Sequence, residues 1–443
     1  MNISVIKFTG TQGRRKMKRI AFITLGCKLN YAETSTYERA LLKEGFEAVP
    51  WTKGADIFIV NTCTVTEHSD KKSRNIIRKL HRQNPEAQIY VTGCSAQLRR
   101  ADYEAIEGVV RVFGATEKSM MVPAILSSTK TDAVCKNVPA CEHKHGNKGA
   151  ETFFPAYSSG ERTRSFLKVQ DGCDYKCHYC TVPYARGESR NIPIAAIIPQ
   201  AEAIAAEGIK EIVLTGVNTG DFGRTTGETF FDLIRELDKV EGIERYRISS
   251  IEPNLLTEEM IDWITSGTKF LPHYHIPLQS GCDTILREMG RRYDTAAFAH
   301  KIQYIRERTE VPGGPKVFFG IDVIVGFPGE SDELFMETYN FLKDVVRPAF
   351  IHIFPYSRRA GTPAAERKDQ VQDCKKTLRV QMLEELSAQL HAEFIEANKG
   401  VAEKVLFEST EKGGMMAGYT GNYIRITRPF DPTLIGEIVN ITI

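Results

Sequence analysis

Long apolar runs are missing from this sequence, and so is any marked excess of one charge. No stretch of its 443 residues approaches a membrane span, and the formal net charge is only +2. The first absence argues against a membrane partner, and the second means that any basic surface must be local. An export signal is missing too. Arg14, Arg15 and Lys16 supply basic residues ahead of Met17, but no apolar segment of sufficient length follows. Met17 is a candidate initiator, and residues 1–17 read as a disordered extension. Low-complexity segments are absent. Ten cysteines in such a chain point to metal ligands or reactive thiols in a reducing cytoplasm rather than to disulfides. A hydrophobic content of 42% leaves ample material for two or three domains.

What is present is organised around Gly172-Cys173-Asp174-Tyr175-Lys176-Cys177-His178-Tyr179-Cys180. No fourth cysteine follows at a matching interval. A structural zinc site calls for four ligands, and a redox pair needs only two cysteines. Three thiolates at i, i+4 and i+7 can hold three irons of a [4Fe–4S] cube and leave the fourth iron open. In this loop the chain resembles radical S-adenosylmethionine (SAM) enzymes, where Tyr179 would pack against the adenine of SAM.

The first third repeats one unit three times. Short buried strands at 19–26, 56–62 and 88–93 are each followed by a helical stretch, and Cys27, Cys63 and Cys94 stand at their ends. The alternation predicts a doubly wound parallel sheet, whose strands present their carboxyl ends to one crevice. Three cysteines in one topological position would converge there and suggest a second iron–sulfur cluster. Residues 131–158 read as a linker; its Cys135, Cys141, His143 and His145 are taken as solvated loop residues.

From Thr163 six strand–helix units follow, with strands near 165–169, 211–215, 246–250, 273–278, 318–326 and 349–354. Six units imply a partial (β/α)6 TIM barrel with the cysteine loop at its carboxyl-end face. Gly216, Asn218, Ser250, Glu252, Gln279 and Gly326 lie at the same strand ends and make a candidate cofactor rim, with Asn218 and Glu252 suited to the amino and hydroxyl groups of SAM. A long helix is expected over 365–399. The last stretch reads as three short strands of a small OB-like β-barrel, with Tyr419, Tyr423, Arg425 and Arg428 as a nucleic-acid face.

With these motifs in view, the chain from Lys18 to Ile443 resembles the methylthiotransferase family of radical SAM enzymes. The resemblance rests on the segments ending in Cys27, Cys63 and Cys94, on the loop 173–180, and on Arg247–Pro253, Pro277–Gly281, Met289–Tyr293 and Phe354–Ser357. It implies a methylthiotransferase N-terminal domain (18–130), a radical SAM core with a trailing helix (159–398) and a TRAM domain (399–443). Gly26-Cys27-Lys28-Leu29-Asn30 looks like the MtaB-like branch, which implies methylthiolation of C2 of N6-threonylcarbamoyladenosine at position 37 of tRNA. Isopentenyladenosine-37 and, further off, a ribosomal protein are the alternative acceptors. Cys282 stands where the family commonly has serine. The implied cofactors are two [4Fe–4S] clusters, on Cys173, Cys177 and Cys180 and on Cys27, Cys63 and Cys94, together with SAM as methyl donor and radical source. Implied partners are tRNA, an electron donor such as flavodoxin or ferredoxin, and a sulfur source. Arg291 and Arg292 join the tail residues as expected tRNA contacts, and the chain is expected to act as a cytoplasmic monomer.

Overall fold

Short runs rich in β-branched and aromatic residues, each trailed by a longer amphipathic stretch, fold as parallel strand–helix units. The structure, a computed structural model, describes residues 17–130, 153–160 and 163–443; the extension before Met17 and the cysteines and histidines of the expected linker lie outside them. In the first unit, β1 (Arg19–Thr24), β2 (Glu47–Ala48), β3 (Ile57–Thr62), β4 (Gln88–Gly93) and β5 (Val109–Val112) form a parallel sheet in the order β2-β1-β3-β4-β5. Strands β1, β3 and β4 are the three expected ones. The edge strands β2 and β5 are additions, too short at 2 and 4 residues to show a periodicity of their own. On β3, Ile57 and Ile59 pack with Tyr37 and Leu41 on one face, and Phe58 and Val60 pack with Ile77 and Leu80 on the other. The sheet is therefore doubly wound. Its strand order switches direction between β1 and β3, so their carboxyl ends flank the crevice such sheets use for ligands.

The second unit holds β6 (Arg164–Lys168), β7 (Glu211–Thr215), β8 (Arg245–Ile248), β9 (His273–Gln279), β10 (Phe318–Val325) and β11 (Phe350–Pro355), all parallel. Two three-stranded ladders, β6-β7-β8 and β9-β10-β11, meet through Tyr246, whose N–H donates to Lys269 O at 2.8 Å and whose carbonyl accepts from Leu271 N–H at 3.0 Å. Among the described residues β6 and β11 do not pair, so the barrel is open. Leu167, Ile212, Leu214, Ile276, Ile321 and Val323 face the surrounding helices. The alternate positions, including Phe166, Val213, His275, Asp322 and His352, therefore face the lumen. Helix Lys28–Lys43 of the first unit lies along β6, with Ala32 against Phe166 and Val213.

The expected 365–399 helix is split. Helix Pro363–Glu366 and helix Asp373–Glu396 flank a polar link in which Arg367 pairs with Asp369 and Glu288 instead of continuing the turn.

At the end of the chain β12 (Ala402–Lys412), β13 (Met415–Tyr419), β14 (Arg425–Pro429) and β15 (Ile438–Thr442) form an antiparallel sheet in the order β14-β13-β12-β15. Strand β13 is the one the sequence does not announce, because Met-Met-Ala-Gly carries little strand preference. Gly413 and Gly414, at φ 61° and 75°, make the two-residue hairpin that creates it. This sheet docks on the amino ends of the barrel strands, opposite the cysteine loop. Arg247 donates to the carbonyls of Thr420 and Gly421, both at 2.8 Å. Tyr423 lies 4.8 Å, centroid to centroid, from His273 and accepts from Arg164 at 3.1 Å. The expected exposed tRNA face is thereby corrected. Tyr419 and Tyr423 are half-buried interface residues, Arg428 is half-buried over Phe407, and Arg425 alone of the four is exposed. The arginines and aromatics that suit RNA equally suit a partner surface of Arg164, Arg247 and His273.

Candidate active site

The loop that leaves β6 carries Cys173, Cys177 and Cys180 and runs into helix Val182–Arg186. Each sulfur accepts one N–H. Tyr175 N–H donates to Cys173 Sγ and Val182 N–H to Cys180 Sγ, both at 3.4 Å, and Arg291 Nη1 reaches Cys177 Sγ at 3.1 Å. Burial first, and the neighbouring thiols second, push Cys173 and Cys180 up to about 12. Three clustered sulfurs, each carrying an N–H donor, suit a shared cationic centre, which would take all three as thiolates. The loop is pinned from outside, for His178 N–H donates to Met289 O at 3.0 Å and His178 O accepts from Ala364 N–H at 3.0 Å. A cleft of about 910 Å³ is lined by all three cysteines and by Gln97, Ala115 and Thr116 of the first unit.

The rim residues are not equivalent. Asn218 is 3% exposed, and neither its amide oxygen nor its nitrogen has a partner among the described residues. A buried amide left so costs of order 1–3 kcal/mol, which fits a site awaiting a polar ligand. Gln279 holds φ at 69°, a strained value for a side-chain-bearing residue, at the carboxyl end of β9. Ser250 presents its carbonyl to Thr219. Gly216 packs against Gln170, whose Oε1 accepts the N–H groups of Val217 and Asn218, both at 2.9 Å. Gly326 donates its N–H to Glu330, and Lys376 fills the space where a Cβ would stand. Tyr179 packs beside Cys282, Met289 and Phe327.

Arg291 is a correction. Expected on an RNA-binding surface, its side chain is 2% exposed and reaches Cys177, Tyr179, Tyr293 and Glu252. It thus ties the cluster loop to the rim carboxylate. Arg292 next to it is exposed and lies 3.9 Å over the Tyr175 ring.

The second trio forms at the switch point. Cys27 caps helix Lys28–Lys43, Cys63 follows β3 and Cys94 opens helix Cys94–Leu98. The three thiols interact electrostatically, and burial chiefly, with Cys94 and Cys27 adding, raises Cys63 to about 11. Asn30 Nδ2 donates to Leu25 O at 2.8 Å and Thr62 O at 3.0 Å, and Asn61 Nδ2 donates to Asn30 O at 3.0 Å, which stitches the first two cysteine turns together. Gly26 holds φ at 97°, and a Cβ there would stand 2.8 Å from Cys63 Sγ. Gly26→Ala is therefore expected to displace Cys63. Bound iron should fall below the wild-type value, while SAM cleavage persists. Iron and sulfide analysis of the purified variant checks this.

One buried ionic network joins the two trios. Arg186, on the helix after the loop, donates to Asn30 Oδ1 at 2.7 Å, to Asp171 Oδ1 at 2.9 Å and to Glu33 Oε1 at 3.2 Å. Glu33 also binds Lys118 at 2.7 Å and Lys168 at 2.9 Å, and Asp171 binds Lys168 at 2.7 Å and Arg190 at 2.9 Å. Four cations thus face two carboxylates. The excess lies beside Cys94 and Cys27; burial works against the Arg186 charge, and Cys94, Asp171 and Glu33 outweigh it. Helix Cys94–Leu98 packs directly on helix Val182–Arg186. Sequence reading misses Gln170, Glu33, Arg186 and this network. Charged residues scattered between positions 33 and 190 carry no local spacing; only their burial marks them.

Residues 19–114 match a model described as "Uncharacterized protein family UPF0004", and residues 167–342 match the Radical SAM superfamily. The chain is 39% identical to the threonylcarbamoyladenosine tRNA methylthiotransferase MtaB of Bacillus subtilis, across 96% of this chain and 94% of that protein. It is 36% identical to the protein of that name from Aquifex aeolicus, across 93% and 96%. A tRNA-2-methylthio-N(6)-dimethylallyladenosine synthase of Natranaerobius thermophilus is 30% identical across 96% and 94%. The fold resembles the radical SAM methyltransferase TsrM of Kitasatospora setae, at a TM-score of 0.55, 14% identity and coverage of 79% and 77%. On this identity and coverage the chain belongs to the methylthiotransferase family of radical SAM enzymes.

Proposed function

We propose that this protein transfers a methylthio group to C2 of N6-threonylcarbamoyladenosine at position 37 of tRNA. The observation that carries the reading is the joining of two cysteine trios, from two separate sheets, through Arg186 and its buried partners. Relatives bearing that activity in their names, at 32–39% identity, support the choice of substrate. C2 of adenine has no acidic proton, so acid–base chemistry gives poor access to it.

When bound, two iron–sulfur clusters and SAM would supply the radical and the sulfur chemistry. Cys173, Cys177 and Cys180 would hold one cluster, and Cys27, Cys63 and Cys94 the other. Asn218 offers its unpartnered amide to the amino-acid end of SAM, and Glu252, oriented by Arg291, accepts from its ribose hydroxyls. Gln170 fixes the turn that carries Asn218. The network around Glu33 and Asp171 sets the distance between the trios and excludes water between them. Within this reading, units 18–130, 159–398 and 399–443 act as donor, radical and docking domains. The protein would work as a cytoplasmic monomer with a flavodoxin- or ferredoxin-type reductant and a separate sulfur source. No helix among the described residues is long and apolar enough to cross a membrane.

Mass spectrometry of nucleosides from tRNA of cells lacking the gene tests the proposal. The methylthio form of threonylcarbamoyladenosine should disappear and its precursor accumulate. Loss of the methylthio isopentenyl nucleoside instead would move the substrate assignment, and no change in either would point to a protein acceptor.

A further inference from the structure

The barrel lumen holds a polar group that no step above uses. His275 on β9, Asp322 on β10 and His352 on β11 bring their ligand-type atoms within 4.8 Å of one another. His275 Nε2 lies 2.7 Å from Asp322 Oδ1, and the two imidazole rings stack at 4.9 Å between centroids. Lys28 lies within electrostatic reach of this group. It immediately follows Cys27, is half-buried, and interacts with Arg164 and Arg247 first, then with Asp322 and Cys27, and more weakly with His352. It makes no hydrogen bond or ion pair with any described residue. The other cations in reach are committed, Arg247 to Glu211 at 3.0 Å and Arg164 to Glu408 at 2.7 Å.

Adenine chemistry connects this group to the reaction. C2 and the C6 carbon that bears N6 flank N1 on one edge of the ring. Whatever N6 carries must therefore lie beside the sulfur delivered from the Cys27 trio. A threonylcarbamoyl group there brings one carboxylate, one hydroxyl and carbamoyl N–H donors. An isopentenyl group brings only hydrocarbon, and would leave Lys28 and His352 desolvated without hydrogen-bond partners.

We propose that Lys28, with His275, Asp322 and His352 across the lumen, is the specificity-determining contact for the N6 substituent, its ammonium pairing with the threonyl carboxylate. The inference rests on the substrate reading above. Asp322, already engaged by His275, is an acceptor for the hydroxyl or a carbamoyl N–H, and His352 supplies a further polar contact. A site built to hydrogen-bond a substrate rejects an analogue lacking those groups far more strongly than an apolar pocket does.

The test measures binding of anticodon stem-loops with and without the threonylcarbamoyl group, then methylthiolation kinetics, on protein with both clusters intact. Wild type should prefer the modified stem-loop. Lys28→Met should reduce that preference and kcat/KM by roughly 30- to 100-fold, mainly through KM, with SAM cleavage and iron content unchanged; Lys28→Arg should recover most of the loss. His352→Gln, remote from the cysteines in sequence, should raise KM about tenfold and serves if Lys28→Met loses its neighbouring cluster. An unchanged KM in the cluster-intact variants overturns the proposal. So does a third, stoichiometric metal that disappears in His352→Ala, which would make the trio a cation site. A wild type inactive on the threonylcarbamoyl stem-loop but active on the isopentenyl one would overturn the substrate reading itself, a separate result.

Discussion

Cys177→Ala is expected to bring reductive SAM cleavage to background, whereas Cys63→Ala should leave cleavage intact and abolish the methylthio product. The division follows from where the two sulfurs sit. Cys177 Sγ accepts from Arg291, which also grips Glu252 on the rim, so its loss removes a proposed cluster ligand and unseats the rim carboxylate. Cys63 stands at the end of a strand in another sheet, against Gly26. Counting 5′-deoxyadenosine and methylthionucleoside by mass spectrometry in the same reduced reactions separates the two. Methylthio product from a Cys63 variant shown to lack its second cluster would refute this division of labour.

Glu33→Gln should have the largest effect on stability. Its carboxylate is fully buried between Lys118, Lys168 and Arg186. An amide there leaves three buried cations short of a counter-charge, at a cost of about 3–5 kcal/mol in denaturant unfolding. Burial alone would raise the Glu33 carboxyl, but the three cations outweigh it and hold it well below the usual carboxylate range. A group with a depressed folded pKa contributes its stability above its unfolded value, near 4.3, and loses it as pH falls toward the folded one. The gap between wild type and Glu33→Gln should accordingly be full at neutral pH and shrink in acid. An equal gap at pH 7 and pH 3 would mean that shape, not charge, holds the units together. Because the same residues space the trios, the variant should also form 5′-deoxyadenosine in excess over methylthio product.

Much of the site was legible because its signals are local. The loop 173–180 holds its ligands within eight positions, and Cys27, Cys63 and Cys94 each mark a strand end, so strand period and topology bring them together without any knowledge of side-chain packing. Glycines at positive φ before two of those cysteines belong to the same local grammar. The expected exposure of three RNA-contact candidates was not met, for the opposite reason. Arg291, Tyr419 and Tyr423 are as suited to a buried partner as to a phosphate or a base, and composition cannot say which they will meet.

The sequence by itself determined the cysteine sets, the parallel strand–helix units, the small antiparallel domain at the end and the family. Only the tertiary structure decided that the last sheet covers the amino ends of the barrel strands, that Arg291 joins Cys177 to Glu252, and that Glu33, Lys118, Lys168, Asp171, Arg186 and Arg190 form one buried network. Periodicity reports which face of an element is apolar, and it is silent on which charged residues, far apart in the chain, will be desolvated together. That pairing is set by how the units dock, and burial is what turns a solvated charge into a strong structural tie.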